Sequence, residues 1–461
     1  MIKINLKKKP ELDPQFTPAS IWIREYKKLL NDSSEEIAIT IERTTGTRSK
    51  FTTKILEHSD DNKKLNLKYI ERIIKSLLWI KGGYKITIAG NKEIRDELKE
   101  IYSKAGKRSF DNDLIGKKIY NNELVFEYCE YKDAPSEDES KVALGRNFDG
   151  CRIGFDLGGS DRKCAAVIDG EVVFSEEVEW DPYFQSDPAW HKAGINDSLK
   201  RAAAHLPRID AIGGSSAGVF VDNQVKVASL FRGINDEDFD KDVKNLFKDL
   251  KEEWGVPFDI INDGEVTALA GSISINDNAL LGIAMGTSQA VGYITPDGNV
   301  TDWLNELAFA PIDFNDNAPK DEWSGDVGCG VQYFSQQAVA RLAPAAGIDL
   351  PKEMPFPEQL IKVQELMKND DERAAKIYET IGIYLGYALS YYSEFYDFSN
   401  IMILGRVTSG KGGEILIEKA KEVLALEFPE LAEKIKFHIP DEKMKRHGQA
   451  IAAASLPKLK K

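Results

Sequence analysis

Gly154-Phe155-Asp156-Leu157-Gly158-Gly159-Ser160-Asp161-Arg162-Lys163 is the stretch on which the fold turns. A buried strand ends in a carboxylate. Paired glycines, a hydroxyl and two basic residues follow. Glycines let backbone amides approach a phosphate closely, and such turns form anion-binding nests. Asp156 could hold hydrated Mg²⁺, which takes one or two carboxylates plus waters. Arg162 and Lys163 would add a local positive field. Taken alone, the stretch also reads as an ordinary hairpin turn.

The same grammar recurs downstream. Gly282-Ile283-Ala284-Met285-Gly286-Thr287-Ser288-Gln289-Ala290-Val291-Gly292 is again apolar strand, small polar turn, apolar strand. Two such turns could grip one polyphosphate from two domains. A third segment, Ile401-Met402-Ile403-Leu404-Gly405-Arg406-Val407-Thr408-Ser409-Gly410-Lys411-Gly412-Gly413, leads from a buried strand through a glycine-rich loop to a helix near Glu414. A nucleobase or ribose can lie against such a loop. Its lysine and serine are in the wrong order for a Walker A loop. A fourth, Ile260-Ile261-Asn262-Asp263-Gly264-Glu265, ends a strand in Asn-Asp where a small-residue helix begins. Asp263 there can take a proton from a substrate hydroxyl, as phosphoryl transfer requires. A simple N-cap is the commoner role for such an aspartate.

The remaining chain supports an α/β reading. Residues 36–58 read as two strands around Thr45-Gly46, 66–81 as a helix ended by Gly82-Gly83, and 84–89 as a strand. Residues 93–103 read as a helix and 123–129 as a strand. Residues 1–35 read as a polar arm, and 134–141 (APSEDESK) as a linker. Beyond Cys151, short strands alternate with helices, including a long one over 374–398 and a last one from about Lys445. No solenoid repeat is visible.

Composition excludes several classes. Acidic residues outnumber basic ones, 75 to 61, for a net charge of -14. Nucleic acid and anionic membranes, which attract basic faces, are therefore not expected as partners. No apolar run approaches a membrane span, and no apolar segment follows Lys7-Lys8-Lys9, so a cytoplasmic setting is expected. The four cysteines are scattered and the five histidines show no metal-ligand spacing.

The order DLGGS, GGSSAG, INDGE, GTS, LGRVTSG over about residues 151–461 resembles the actin-like ATPase superfamily and, within it, the ROK sugar kinases. The resemblance implies two actin-like (ribonuclease H-like) lobes with a central cleft, plus an additional N-terminal α/β domain. The expected bounds are 1–148 for that domain, 149–260 with 440–461 for lobe I, and 261–439 for lobe II. ATP and Mg²⁺ are the implied cofactors, with Asp156 as the metal carboxylate. Gly158, Gly159 and Ser160 match the first phosphate motif, Gly286, Thr287 and Ser288 the second, and Gly405 with Arg406 the adenosine loop. Asp263 matches the catalytic base and Asn262 the adjoining sugar ligand. Ser216 and Gly218 match the loop that borders the sugar. A homodimer is implied by the resemblance alone.

Departures from the family pattern matter. The family's Glu-x-Gly-His segment is represented by Glu306-Leu307-Ala308-Phe309, so the glutamate stays and the histidine becomes Phe309. Of the cysteine-rich zinc loop only Cys329 remains, with Val331 in place of a second sugar-binding glutamate. One thiol cannot make a tetrahedral zinc site, so none is expected. The changes point away from glucose and toward a ketose, deoxy sugar, polyol or cyclitol. Arg232 is a further candidate substrate contact. A sugar-responsive regulator with a degenerate kinase core is the alternative, and an ATPase coupled to a protein partner a third class. Residues 1–148 contain no recognisable helix-turn-helix, which weighs against the DNA-binding branch of the family.

Overall fold

The computed structural model describes residues 2–139, 144–351, 353–440 and 448–459. Its elements fall around three sheets. The first is built from β1 (Glu35–Glu42), β2 (Arg48–Ile55), β3 (Lys85–Ala89) and β4 (Val125–Cys129), in the order β2-β1-β3-β4. β1 runs antiparallel to both β2 and β3, and β4 is parallel to β3. Helix α1 (Ala19–Lys27) precedes this sheet, while α2 (Lys63–Ile80) and α3 (Lys92–Ile101) lie within its connections.

The second sheet has the order β11-β8-β5-β6-β7, from β5 (Cys151–Leu157), β6 (Asp161–Ile168), β7 (Glu171–Glu179), β8 (Ala211–Ser216) and β11 (Phe258–Asn262). A separate hairpin, β9 (Val219–Val221) and β10 (Gln224–Val227), follows β8. β5 pairs antiparallel with β6 and parallel with β8, and β8 is parallel to β11. This is a ribonuclease H-like sheet, flanked by α4 (Pro188–Ala203).

The third sheet, β12 (Leu280–Met285), β13 (Gln289–Ile294), β14 (Asn400–Leu404) and β15 (Lys436–His438), repeats the pattern in the order β13-β12-β14-β15. β12 is antiparallel to β13 and parallel to β14. It matches β6-β5-β8-β11, with no fifth strand among the described residues. Helix α5 (Asp263–Ile275) enters this lobe, and α6 (Glu372–Tyr392) packs along α7 (Lys411–Glu427).

Where a fifth strand would extend the third sheet, the chain instead meets the N-terminal unit. The amides of Asn305 and Glu306 donate to the carbonyls of Ile80 and Trp79, 3.0 and 2.9 Å away, at the C-terminal end of α2. One apolar core runs without a break from β1, α2 and β3 into β12, α6 and α7. α2 is therefore covered on nearly all sides, and even Glu71, Arg72, Lys75 and Ser76 are buried. Such all-round burial is not an amphipathic surface helix, which the apolar spacing alone would describe.

The first 35 residues are not a free arm. Phe16 packs against Tyr333, Tyr384 and Tyr387, and Trp22 and Tyr26 are buried. The Lys7 amide donates to Glu427, and Ser20 Oγ to the Tyr387 carbonyl. Polar spacing hid these anchors: the few large aromatics carry the docking while most of the lysines flanking them stay exposed. The 134–141 stretch is likewise tied where it is described. Asp138 bridges to Arg48, and Glu139 accepts from Arg43 and Ser49. The expected start of the last helix, near Lys445, lies outside the described residues.

The C-terminal helix Gln449–Ala454 closes onto β5 and β8. Two glycines allow this. A Cβ on Gly154 would run into the Ala450 carbonyl, and one on Gly213 into the Ala453 carbonyl. Neither carbonyl can rotate away, because both belong to helix backbone. Gly213→Ala is expected to lower stability by about 1–3 kcal/mol, the cost of overpacking. A urea midpoint at the wild-type value would show that the helix does not seat as described.

Candidate active site

The site is assembled where strand ends of the two lobes meet. At the end of β5, Asp156 is 7% exposed and accepts from Ser215 Oγ at 2.7 Å. Burial pushes its carboxyl up to about 6; the Ser215 bond opposes the rise and the Asp263 charge adds to it. At the start of α5, Asn262 caps the helix: its Oδ1 accepts from the Gly264 amide at 2.7 Å, and its Nδ2 donates to the Gly218 carbonyl at 2.7 Å. Because Asn262 does the capping, Asp263 is not needed for it. Burial raises the Asp263 pKa, while the amides of Gly264 and of Asp263 itself oppose the rise.

Glu306 belongs to the same group. Burial, then the Asp263 charge, pushes it up to about 7. The Asp263 charge thus adds to the rise of both Asp156 and Glu306. Glu265 is raised as well: burial pushes its carboxyl up to about 8, with Asp302 and Glu306 adding to the effect and the Asn305 amide, donating at 3.1 Å, opposing it. Sequence spacing gave no reason to single out Glu265, since it reads as a helix first-turn acid. Only the fold shows that it is buried.

A raised carboxyl pKa has a defined effect on stability. The unfolded chain loses its Glu265 proton near 4.5 while the folded chain keeps it to about 8. Stability therefore falls as pH rises across that window. Glu265→Gln retains an acceptor for Asn305 and removes the titration. The variant is expected to exceed the wild type at pH 8 by on the order of 2 kcal/mol, and to lose most of that advantage at pH 5. Denaturant midpoints at the two pH values check this.

The two glycine turns are alike in detail. The Gly158 amide donates to the Asp161 carbonyl at 2.9 Å, and the Gly286 amide to the Ser288 carbonyl at 2.9 Å. Each bond closes its turn, and the amides of Gly159, Ser160, Thr287 and Ser288 bond nothing among the described residues. Such sets of free amides suit phosphate oxygens. Gly405, at φ 102°, abuts the Met285 backbone so closely that a Cβ would overlap it. That contact joins the third loop to the second turn. Arg406 is exposed, and its carbonyl accepts from Gln364.

The candidate cations divide. Lys163 lies in register with Asp156 and its charge opposes the rise of that carboxyl, so it stays at the site. Arg162 does not. Its guanidinium binds Asp197 at 2.7 Å and Ser198 Oγ, both on α4. Consecutive strand residues face opposite sides, so only one of the two could face Asp156. Arg232 is exposed and lies 4.0 Å above the Tyr183 ring; the Tyr183 hydroxyl stands where a Gly159 Cβ would be. This places Arg232 at the first phosphate turn. Ser216, level with Asn262 on the neighbouring strand, has a buried Oγ with no partner among the described residues.

Phe309 is not an addition to the acceptor pocket. Its ring stacks on Trp79 at 4.2 Å and lies 5.7 Å from Phe110, so it is anchored in the N-terminal unit. Val331 packs with Ala308 and Cys329. Burial pushes the Cys329 thiol up to about 12, the opposite of a metal-binding thiolate.

The residues fit a nucleotide–Mg²⁺ complex in kind: one carboxylate at a strand end, held by a hydroxyl and followed by a turn of free amides, with a like turn on the third sheet. A separate cluster, His58, Glu93 and Glu97, has its ligand atoms within 4.8 Å of one another. The Tyr26 hydroxyl fixes the Asn66 amide, which donates to His58 Nδ1. In neutral His58 the proton then sits on Nε2, facing Glu93, and that nitrogen is not a ligand.

No protein-family model matches the sequence, and no curated protein matches it by sequence. Solved structures do share the fold. The ROK hexokinase of Thermus thermophilus is 17% identical, with a TM-score of 0.52, over 67% of this chain and 97% of that one. A ROK-family transcriptional regulator, a homologue of the E. coli MLC protein, is 18% identical with a TM-score of 0.52, over 67% of this chain and 78% of that one. A ROK glucokinase from Streptomyces griseus, solved with glucose and AMPPNP, is 17% identical with a TM-score of 0.48, over 67% of this chain and 99% of that one. The class is thus set: the chain has the two-lobed fold of ROK proteins. A kinase and a regulator share it equally, so the fold does not choose between them. About a third of the chain lies beyond either match. Among the described residues no helix is long and apolar enough to cross a membrane.

Proposed function

We propose that this protein is a divergent ROK-type kinase that transfers the γ-phosphoryl group of ATP to a hydroxyl of a sugar or sugar-like polyol. The observation that carries the reading is the geometry around Asp263: it directly follows Asn262, which holds the Gly218 carbonyl and lies level with Ser216, next to the Ser215 that holds Asp156. It links the phosphate turns to the acceptor side through one carboxylate. Asp263 takes the hydroxyl proton as the acceptor oxygen bonds to the γ-phosphorus. The bond from that phosphorus to the β,γ-bridging oxygen breaks, and ADP leaves. A base with an upward-shifted pKa suits proton removal near neutral pH. Glu306 and Asn262 orient the acceptor, and Ser216 Oγ offers one more hydrogen bond. Bound Mg²⁺ would neutralise phosphate charge at the Asp156 end. A homodimer in the cytoplasm is the expected form.

The regulator reading is favoured only by the shared fold of the MLC homologue. Against it, the described N-terminal residues form a four-stranded sheet with helices packed into lobe II. The deciding experiment follows ADP release with ATP and Mg²⁺ across ketoses, aldoses, polyols and cyclitols. Acceptor-dependent ADP supports the kinase; sugar binding with no turnover across the panel moves the assignment to a sensor.

A further inference from the structure

A cavity of about 400 Å³ lies beside Asp263 rather than over it. That is the size of a small-molecule site, roughly 300–1,000 Å³. Three parts of the fold wall it. The N-terminal unit supplies Arg43 and the hairpin turn Thr44-Thr45. The first lobe supplies Asn262 and the β9–β10 turn at Asp222. The second lobe supplies Glu265 and Asp302. Asn262 directly precedes Asp263, and Glu265 feels the charge of Glu306. The cavity therefore begins at the acceptor side of the catalytic group and ends at the N-terminal unit.

Its chemistry narrows the occupant. Arg43 is already committed, to Asp302 at 3.1 Å, to Glu139, to Ser49 and to the Lys81 carbonyl. The rest of the wall mixes apolar residues such as Val219, Phe220 and Ile261 with Asp222, Asp259 and Lys251, so it holds no surplus of positive charge for an anionic group. Asp302 Oδ2 accepts from Arg43 and Thr47, but its Oδ1 is buried with no partner among the described residues. An apolar occupant would leave that oxygen unpaired at a cost. Glu265, 7% exposed and pushed up to about 8 by burial, can both donate and accept at neutral pH. Trp303 also lines the cavity, with Lys81 over its ring at 2.9 Å and Tyr293 stacked on it at 5.5 Å. A neutral ring rich in hydroxyls meets these demands by hydrogen bonding.

We propose that the cavity between the N-terminal unit and the two lobes is a second sugar subsite, so that the acceptor is a disaccharide or other glycoside. One ring is phosphorylated at Asp263, and its neighbour is seated between Asn262, Asp302 and the Thr44-Thr45 turn. The proposal rests on the kinase reading for the first ring only. It also gives the N-terminal unit a role, as the far wall of the substrate site.

The test pairs each ring with its glycoside: glucose with maltose and cellobiose, and myo-inositol with its galactoside, galactinol. Phosphorylation is followed by ADP release, and binding by calorimetry without ATP. At least one glycoside is expected to exceed its parent ring by about tenfold or more in kcat/KM or affinity. Thr45→Trp, at an exposed turn position, should bring that ratio toward one. Asp222→Asn, at a positive φ that asparagine tolerates, should lower it a few-fold. If nothing is phosphorylated but a glycoside binds and Thr45→Trp weakens it, the subsite stands and the kinase reading falls. If single rings are phosphorylated and the second ring adds nothing in either measurement, the subsite falls and the kinase stands. Failure of every glycoside to bind better than its parent ring also overturns it.

Discussion

Asp263→Asn is expected to lower kcat by about 10²- to 10⁴-fold, the range a positioned general base contributes. The substitution is nearly isosteric. It removes a half-buried carboxylate whose ionisation desolvation opposes, and it leaves the helix cap intact because Asn262 holds the Gly264 amide. Thermal stability should therefore be equal to or above the wild type. Acceptor affinity should change far less than kcat, since Asn262 and Glu306 remain. Two measurements decide the matter: acceptor-dependent ADP release, and the unfolding temperature of the same preparation. Turnover within a few-fold of wild type would remove Asp263 from the chemistry. Loss of turnover together with a drop in unfolding temperature would instead give Asp263 a structural role.

Much of the strand-and-turn layout of the candidate site was legible because its signals are local. Buried strands 151–157, 280–285 and 400–404 read as apolar runs, and their turns carry glycines or small hydroxyl residues that few other contexts demand. What stayed hidden depended on distant partners. Arg162 and Lys163 look equivalent in sequence, but strand alternation sends one to α4 and one to Asp156. Phe309 reads as a pocket substitution because its neighbours are site residues; its actual partner, Trp79, lies 230 positions earlier. Residues 1–35 read as solvated because lysines outnumber the aromatics that dock them. Polar composition predicts exposure on average, but burial is decided residue by residue.

Asp326→Ala is expected to destabilise the folded chain by about 3–5 kcal/mol. Asp326 is 3% exposed and receives three cations from the N-terminal unit. Arg72 lies at 3.0 Å, Arg108 at 2.5 Å and Lys75 at 3.4 Å. Burial alone would raise its pKa, but Arg72 and Lys75 overcome that and hold it below the usual value. Glu71 and Asp111 complete the cluster, so three carboxylates face three cations. Removing one carboxylate strands a buried positive charge, and the loss exceeds the net worth of the pairs themselves. The same loop continues to Gly330 and Val331, whose amides donate to the carbonyls of Ala310 and Ala308, close to Glu306 in the chain. Loosening it should therefore raise the acceptor KM more than it lowers kcat. Urea unfolding of Asp326→Ala, Lys75→Met and the double variant separates charge from shape. If the stranded charge is the cause, the double variant recovers part of the loss, with a coupling of about 1–3 kcal/mol. An Asp326→Ala midpoint within about 0.5 kcal/mol of wild type would mean the cluster does not hold the N-terminal unit to the second lobe.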